Sequence, residues 1–278
     1  MMSKVIDKLN ISGKTVLITG SAGFFGSYAA REFLELGADV VLLSRPPKVR
    51  KQLLDLQMRW GKSRVNGFEV DFYDRKKLTD VLKNITKRFK IDILINNAFD
   101  FSAKTGFNTP NGRLENSTFE QWQAAFESGI YWAVLSTQIV GKQMCKRKKG
   151  SIINIGSMYG IVSPRPDLYK GTDKFNPPAY GVFKAGIQAF TRYTASFWAE
   201  YGVRANSISP GTFPNLETVT ANSVATSDPF LNRLRERTLL GRTGHPTDLI
   251  GALVFLASDA SSYMTGQTIV IDGGWTII

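Results

Sequence analysis

Short apolar, β-branched runs alternate with longer helical stretches along this whole chain, and few folds accept that order. Residues 14–19, 39–44, 64–70, 91–95, 151–155, 203–209 and 267–271 read as strands. Between them, helical periodicity runs to Leu36 and over 46–60, 74–89, 179–200 and 248–258. Ser117-Thr118-Phe119-Glu120 has the form of a capping box and opens a further helical stretch toward Lys149. Such alternation predicts an α/β fold, a doubly wound parallel sheet with crossover helices on both faces. With 278 residues and no internal repeat, low-complexity run or linker, the chain is expected to form a single domain, 1–278. Two stretches stay irregular, 158–178 and 210 to about 243, and loops that long in a compact domain are usually functional.

Composition excludes several classes of chemistry. One cysteine, Cys145, allows no intrachain disulfide framework and suits a reducing cytoplasm. One histidine, His245, leaves almost nothing for a Ser-His-Asp or multi-histidine metal site, so no metal is expected. No apolar run approaches the roughly 18 residues a bilayer needs, and residues 1–11 lack the apolar core of a signal peptide, so neither membrane nor export is expected. The net charge is +12, but the one dense basic cluster, Lys142 to Lys149, precedes Gly150 at an expected helix end. Cations there complement the helix dipole and Gly150 is expected to close the helix, a reading favoured over a nucleic-acid patch.

Gly20, Gly23 and Gly26 fall between the first strand and its helix. Glycines there let the backbone approach a pyrophosphate at the free amides of a helix N-terminus. At the end of the second strand an acid would bind the 2′-hydroxyl of NAD. This chain has Ser44-Arg45, with Lys48 and Arg50 nearby, which suits a 2′-phosphate, so NADP is expected, with NAD the alternative.

Tyr180 and Lys184 are four apart and project from one helix face. A cation beside a phenol favours the phenolate. Lowering a phenol from ~10 to ~7 takes about 4 kcal/mol, so a second cation and a dry site are needed.

With these features in order, the chain resembles the short-chain dehydrogenase/reductase family. The resemblance rests on Thr19-Gly20-x-x-Gly23-x-x-Gly26, Asp71, Asn96-Asn97-Ala98, Ser157, Tyr180-x-x-x-Lys184, Ser209-Pro210-Gly211-Thr212 and the tail from Thr265-Gly266-Gln267 to Asp272-Gly273-Gly274, and it covers residues 11–275. It implies a Rossmann fold, a nicotinamide cofactor, hydride transfer at a carbinol or carbonyl carbon, and a homodimer or homotetramer packed through the long helices. It implies that Tyr180 is the general acid/base, that Lys184 holds the nicotinamide ribose and lowers the Tyr180 pKa, and that Ser157 hydrogen-bonds the substrate oxygen. Asp71 would touch adenine, Asn97 would line the cofactor groove and Thr212 would contact carboxamide or pyrophosphate. Ser21, Phe25, Ala98, Pro210 and Gly211 complete the implied cofactor-binding set.

Three departures stand out. The glycine spacing differs from the family's main Thr-Gly-x-x-x-Gly-x-Gly form. Phe99 follows Ala98 where a glycine is usual and is expected to narrow the nicotinamide end. Gly129 stands where the family places an asparagine that helps hold a relay water, which leaves a catalytically weak dinucleotide-binding protein as one alternative. The stretch 158–178 is longer than the usual gap and is expected to stand over the active site, with Tyr159, Arg165, Tyr169, Lys170 and Asn176 offered to a polar or anionic small molecule. It is similar to the subset of the family concerned with flagellin modification and nonulosonic-acid sugars, which points to a sugar or nucleotide-sugar substrate; a 3-oxoacyl thioester is the alternative. Residues 212–243, with Arg233, Arg235 and Arg237, are expected to form a substrate lid, at least two of these arginines lying on a solvated helix face.

Overall fold

The computed structural model describes residues 4–215 and 228–278. A short helix α1 (Lys4–Leu9) precedes the sheet. The strands are β1 (Thr15–Thr19), β2 (Asp39–Ser44), β3 (Val65–Glu69), β4 (Ile93–Asn96), β5 (Gly150–Ile155), β6 (Val203–Pro210) and β7 (Thr268–Ile271). All are parallel, in the order β3-β2-β1-β4-β5-β6-β7. β1 therefore lies between β2 and β4, and its last residue, Thr19, is level with Leu43 and Asn96. Strand order reverses at that point, which opens a crevice beyond the C-terminal ends of the strands.

Alternate side chains of each strand enter opposite cores. Val16, Ile18, Val40 and Leu42 pack with α2 (Phe24–Glu35), α3 (Lys48–Trp60) and α9 (Thr247–Ala257). Leu17, Val41 and Leu43 pack with α4 (Arg75–Arg88), α6 (Trp132–Arg147) and α7 (Pro178–Trp198). The period of two explains why the strands read as continuous apolar runs: both faces are covered. A third, smaller core joins Met158 and Leu168 to Leu231 and Leu234 of α8 (Pro229–Glu236) and to Trp275.

The stretch expected to run as one helix toward Lys149 is three pieces: α5 (Phe119–Phe126), a π-helical segment Glu127–Tyr131, and α6. The capping box sits one residue later than expected. Thr118 Oγ1 accepts from Gln121 N at 3.3 Å and Thr118 N donates to Gln121 Oε1 at 3.1 Å. Ser117 Oγ is taken instead by Trp122 Nε1 at 3.0 Å. α6 ends not on Gly150, which starts β5, but on Lys148 in the left-handed region (φ 53°). Within the expected irregular stretch 210–243 lies α8, started by Asp228, whose carboxylate accepts from Phe230 N at 2.8 Å. No helix among the described residues is long and apolar enough to cross a membrane.

Candidate active site

The first β-α turn is built from absences. Gly20 has φ +65°, and a Cβ there would come 2.8 Å from Ala98 Cα. A Cβ on Gly26 would lie 2.4 Å from the Gly20 carbonyl oxygen, and Gly23 N donates to that same oxygen at 3.0 Å. Asn97 braces the loop, its Nδ2 donating to the carbonyls of Thr19 (3.2 Å) and Gly20 (3.1 Å). Thr19 Oγ1 accepts from Asn97 N (3.0 Å) and Ala98 N (3.2 Å). At the N-terminus of α2 the cap residue is Gly23, which has no side chain to occupy the first-turn amides. Phe25 packs edge-on against Phe213, 5.4 Å between ring centres, joining this helix to the segment after β6. That segment is tight: Gly211 N donates to Ile271 O at 2.9 Å, and a Cβ on Gly211 would lie 2.5 Å from Asp272 Cα. Pro210, just before it, is the last residue of β6.

The hydroxyls of Ser21 and Thr212 are buried without a hydrogen-bond partner among the described residues. Uncapped helix amides at the crevice, beside a loop whose Gly20 and Gly26 leave no room for a Cβ, fit a pyrophosphate-bearing dinucleotide. Beside them, Ser44 is buried and Arg45 is half exposed. Arg45 faces Asp100, 3.8 Å away. Arg50, expected near a 2′-phosphate, is instead bound to both carboxylate oxygens of Glu69, at 3.0 and 2.7 Å. Asp71 is exposed and accepts from Tyr73 N at 3.1 Å.

Beyond β5 a tight turn, Met158–Gly160, carries Ser157 against α7. The approach depends on Gly160, since a Cβ there would meet the Lys184 backbone at 2.7 Å. Ser157 is buried, its Oγ accepts from Tyr159 N at 3.1 Å, and its hydroxyl is close enough to the Tyr180 phenol to favour the phenolate. Lys184 is buried one turn further along α7. Its Nζ donates to the Ile155 carbonyl at 2.8 Å and stands 5.7 Å from the centre of the Tyr180 ring. Desolvation dominates both groups. It pushes the Tyr180 phenol up to about 12, against the opposing influence of Ser157, and the Lys184 ammonium down to about 8. The lowering of Tyr180 expected from sequence is therefore absent from the cofactor-free protein. Lys184 Nζ donates to the Ile155 carbonyl and stands 5.7 Å from the Tyr180 ring centre, and burial penalises both charged forms.

Sequence reasoning marked only Phe99 of the wall facing Tyr180. Phe99, Phe101 and Phe107 surround its ring, with centres 5.1, 6.0 and 5.3 Å away. Lys184 Nζ lies 5.1 Å from the Phe99 ring centre. Phe183 accounts for the neighbouring departure. Gly129 is in the π-helical segment, and a Cβ there would come 2.8 Å from Phe183 Cβ and 3.5 Å from Phe99 Cε2. No side chain fits at 129 while Phe183 stands where it does, and Phe99 is at ordinary contact distance. Phe99 is marked by its motif position and does narrow the space beside Tyr180; Phe101 and Phe107 lie in a loop with no periodicity to mark them.

The stretch 158–178 lies against the site. Tyr159 and Tyr169 bring their hydroxyls to 3.4 Å, and Asn176 Nδ2 donates to Tyr169 Oη at 2.7 Å. Burial raises the pKa of both phenols, and Tyr159 also feels Tyr180 and Arg237. Arg165 is turned to Asp167 (3.5 Å), away from this cluster. The arginines in and just after α8 are not simply a solvated face. Arg237 pairs with Asp167, Arg233 Nη2 donates to the Lys170 carbonyl at 2.9 Å, and Arg235 Nη1 donates to Asn232 Oδ1 at 3.0 Å. Lys174 reaches Asp228 at 3.5 Å. The insertion and α8 are thus one packed unit over a shared apolar core. Residues 216–227 of the expected lid lie outside the described residues. No group of three or more metal-ligating side chains occurs among the described residues.

The family model described as enoyl-(acyl carrier protein) reductase matches residues 21–276. A sorbose reductase of Candida albicans is 30% identical over 279 aligned residues, covering 99% of this chain and 91% of its own. The structure of a gluconate 5-dehydrogenase from Burkholderia cenocepacia, in complex with NADP and tartrate, superposes with a TM-score of 0.81 at 28% identity, covering 98% of this chain and 99% of that one. A short-chain dehydrogenase from Leptospira borgpetersenii with bound NAD+ gives 0.78 at 29%, covering 99% and 97%. Fold, crevice, residue constellation and relatives agree: the chain belongs to the short-chain dehydrogenase/reductase family.

Proposed function

We propose that this protein is an NADP(H)-preferring oxidoreductase that transfers a hydride between nicotinamide and a hydroxyl or keto carbon of a sugar or nucleotide sugar. The observation that carries the reading is the meeting of Ser157, Tyr180 and Lys184 beneath a polar network of Tyr159, Tyr169 and Asn176. The sorbose reductase and the gluconate 5-dehydrogenase support the substrate class. A nonulosonic-acid sugar is its narrower form, supported by the insertion's motifs. Exposed Val182, Tyr193 and Phe197 on α7 support assembly into a homodimer or homotetramer.

In this reading the Gly20–Gly26 loop, Ser21 and Thr212 hold the pyrophosphate, Arg45 the 2′-phosphate and Lys184 the nicotinamide ribose. The dinucleotide supplies or takes the hydride and, when oxidised, adds a positive charge near the phenol. Tyr180, held near 12 and so protonated at neutral pH, is set to give its proton to a carbonyl oxygen that Ser157 also binds. The rings of Phe99, Phe101 and Phe107 keep water from that proton and offer an apolar face to the substrate's carbon skeleton.

A second reading, reduction of a 3-oxoacyl thioester, draws on that aromatic wall and on the matching family model. One experiment separates them: NADPH oxidation against a panel of ketoses, keto sugar acids, nucleotide keto-sugars and an acetoacetyl thioester. The sugar reading requires turnover of a sugar and at most weak turnover of the thioester. With the best substrate, Tyr180→Phe should lower kcat at least 10²-fold, the lower end of general acid–base help, while NADPH still binds. More than a tenth of wild-type kcat in that variant would remove Tyr180 from the chemistry.

A further inference from the structure

We propose that Asp100 is a specificity-determining residue for the cofactor, because it holds Arg45 across the crevice in the cofactor-free protein; this rests on the reading of Arg45 as the 2′-phosphate ligand. Arg45 follows the end of β2 and Asp100 follows the end of β4, and these strands flank β1. The Arg45–Asp100 ion pair therefore passes over the C-terminal end of β1, where the Gly20–Gly26 loop begins.

The two partners are unequal. Asp100 is buried, 2% exposed, and fixed by three bonds. Its Oδ2 accepts from Tyr73 Oη (2.8 Å) and Ser102 Oγ (3.0 Å), and its Oδ1 accepts from Ser102 N (3.1 Å). Tyr73 is itself pinned, with Lys104 Nζ 3.3 Å above its ring. Arg45 is half exposed and contacts Asp100 only at 3.8 Å. When the pair separates, Arg45 moves and Asp100 stays. A 2′-phosphate and Asp100 are two anions competing for one guanidinium, so NADP binding works against the pair whereas NAD binding need not. The chain thereby weakens its own preference for NADP.

The test is nicotinamide fluorescence titration of NADPH and NADH with wild type, Asp100→Asn, Arg45→Ala and the double variant. Asp100→Asn should tighten NADPH by roughly two- to fivefold, the range for a partly exposed ion pair, and change NADH less than twofold. In the Arg45→Ala background the same substitution should no longer alter the NADPH-to-NADH ratio. If Asp100→Asn fails to fold, as judged by circular dichroism, Asp100→Ser is used, because its hydroxyl can still meet Tyr73. An equal shift of both dinucleotides, or a ratio change that persists without Arg45, would overturn the proposal. Should Arg45→Ala weaken NADPH while Asp100→Asn does nothing, Arg45 remains the phosphate ligand and Asp100 alone loses its role. Should Arg45→Ala leave NADPH unchanged, both fall.

Discussion

Lys184→Met should make the cofactor-free enzyme lose stability relative to wild type as pH rises, while abolishing its activity. Lys184 is 5% exposed, and burial brings its ammonium from 10.5 down to about 8. A base whose folded pKa lies below its unfolded value costs stability in full below the folded pKa. The cost is relieved as pH climbs from about 8 toward 10.5. At about 1.4 kcal/mol per pH unit, that difference is worth roughly 3 kcal/mol. Methionine removes the charge but leaves the Ile155 carbonyl without its donor, a loss of about 1–3 kcal/mol that does not depend on pH. Below pH 8 the two effects oppose, and the variant should range from equal to wild type to about 2 kcal/mol more stable. Between pH 7 and pH 10 the wild type should gain about 2–3 kcal/mol on the variant. The assay is urea unfolding of both proteins, without nucleotide, at each pH unit from 7 to 10. Groups common to both proteins cancel in the difference, so the slope belongs to position 184. A difference that stays constant across this range would show that Lys184 is not desolvated, and the account of the site's electrostatics would fail with it.

Gly129→Ala should lower stability by about 1–2 kcal/mol, read as a melting temperature reduced by a few degrees, because overpacking against Phe183 outweighs the helix propensity gained. Unchanged melting would mean that Phe183 yields freely. Gly26→Ala drives a methyl into the Gly20 carbonyl, so calorimetric titration should show dinucleotide affinity at least ~10-fold weaker, about 1.4 kcal/mol. Retained affinity would place the pyrophosphate elsewhere. Arg237→Ala separates α8 from Asp167 of the insertion; substrate KM should rise several-fold with NADPH affinity unchanged, and loss of both together would make the insertion a scaffold for the whole crevice.

The sheet, its two faces and the crevice were legible in the sequence because their causes are local. Continuous apolar runs such as 39–44 mark strands covered on both sides, and the order of runs selects parallel winding. Gly20 marks a backbone at positive φ and Gly26 one that allows close approach, and Tyr180 and Lys184 share a face through helix spacing alone. What the sequence did not carry was the choice of partner. Ser117 and Thr118 offer equivalent hydroxyls, and it is Trp122 that leaves Thr118 to cap the helix. Arg50 looked available to a 2′-phosphate, and Arg233 and Arg237 to a substrate lid or to solvent, until folding set Glu69, the Lys170 carbonyl and Asp167 beside them. The gathering of Phe101 and Phe107 around Tyr180, and of Arg45 onto Asp100, joins residues from separate elements through contacts that no local periodicity encodes. The direction of the Tyr180 shift was decided in the same way, because a pKa depends on how much water the fold removes and on which atom the neighbouring ammonium finds first.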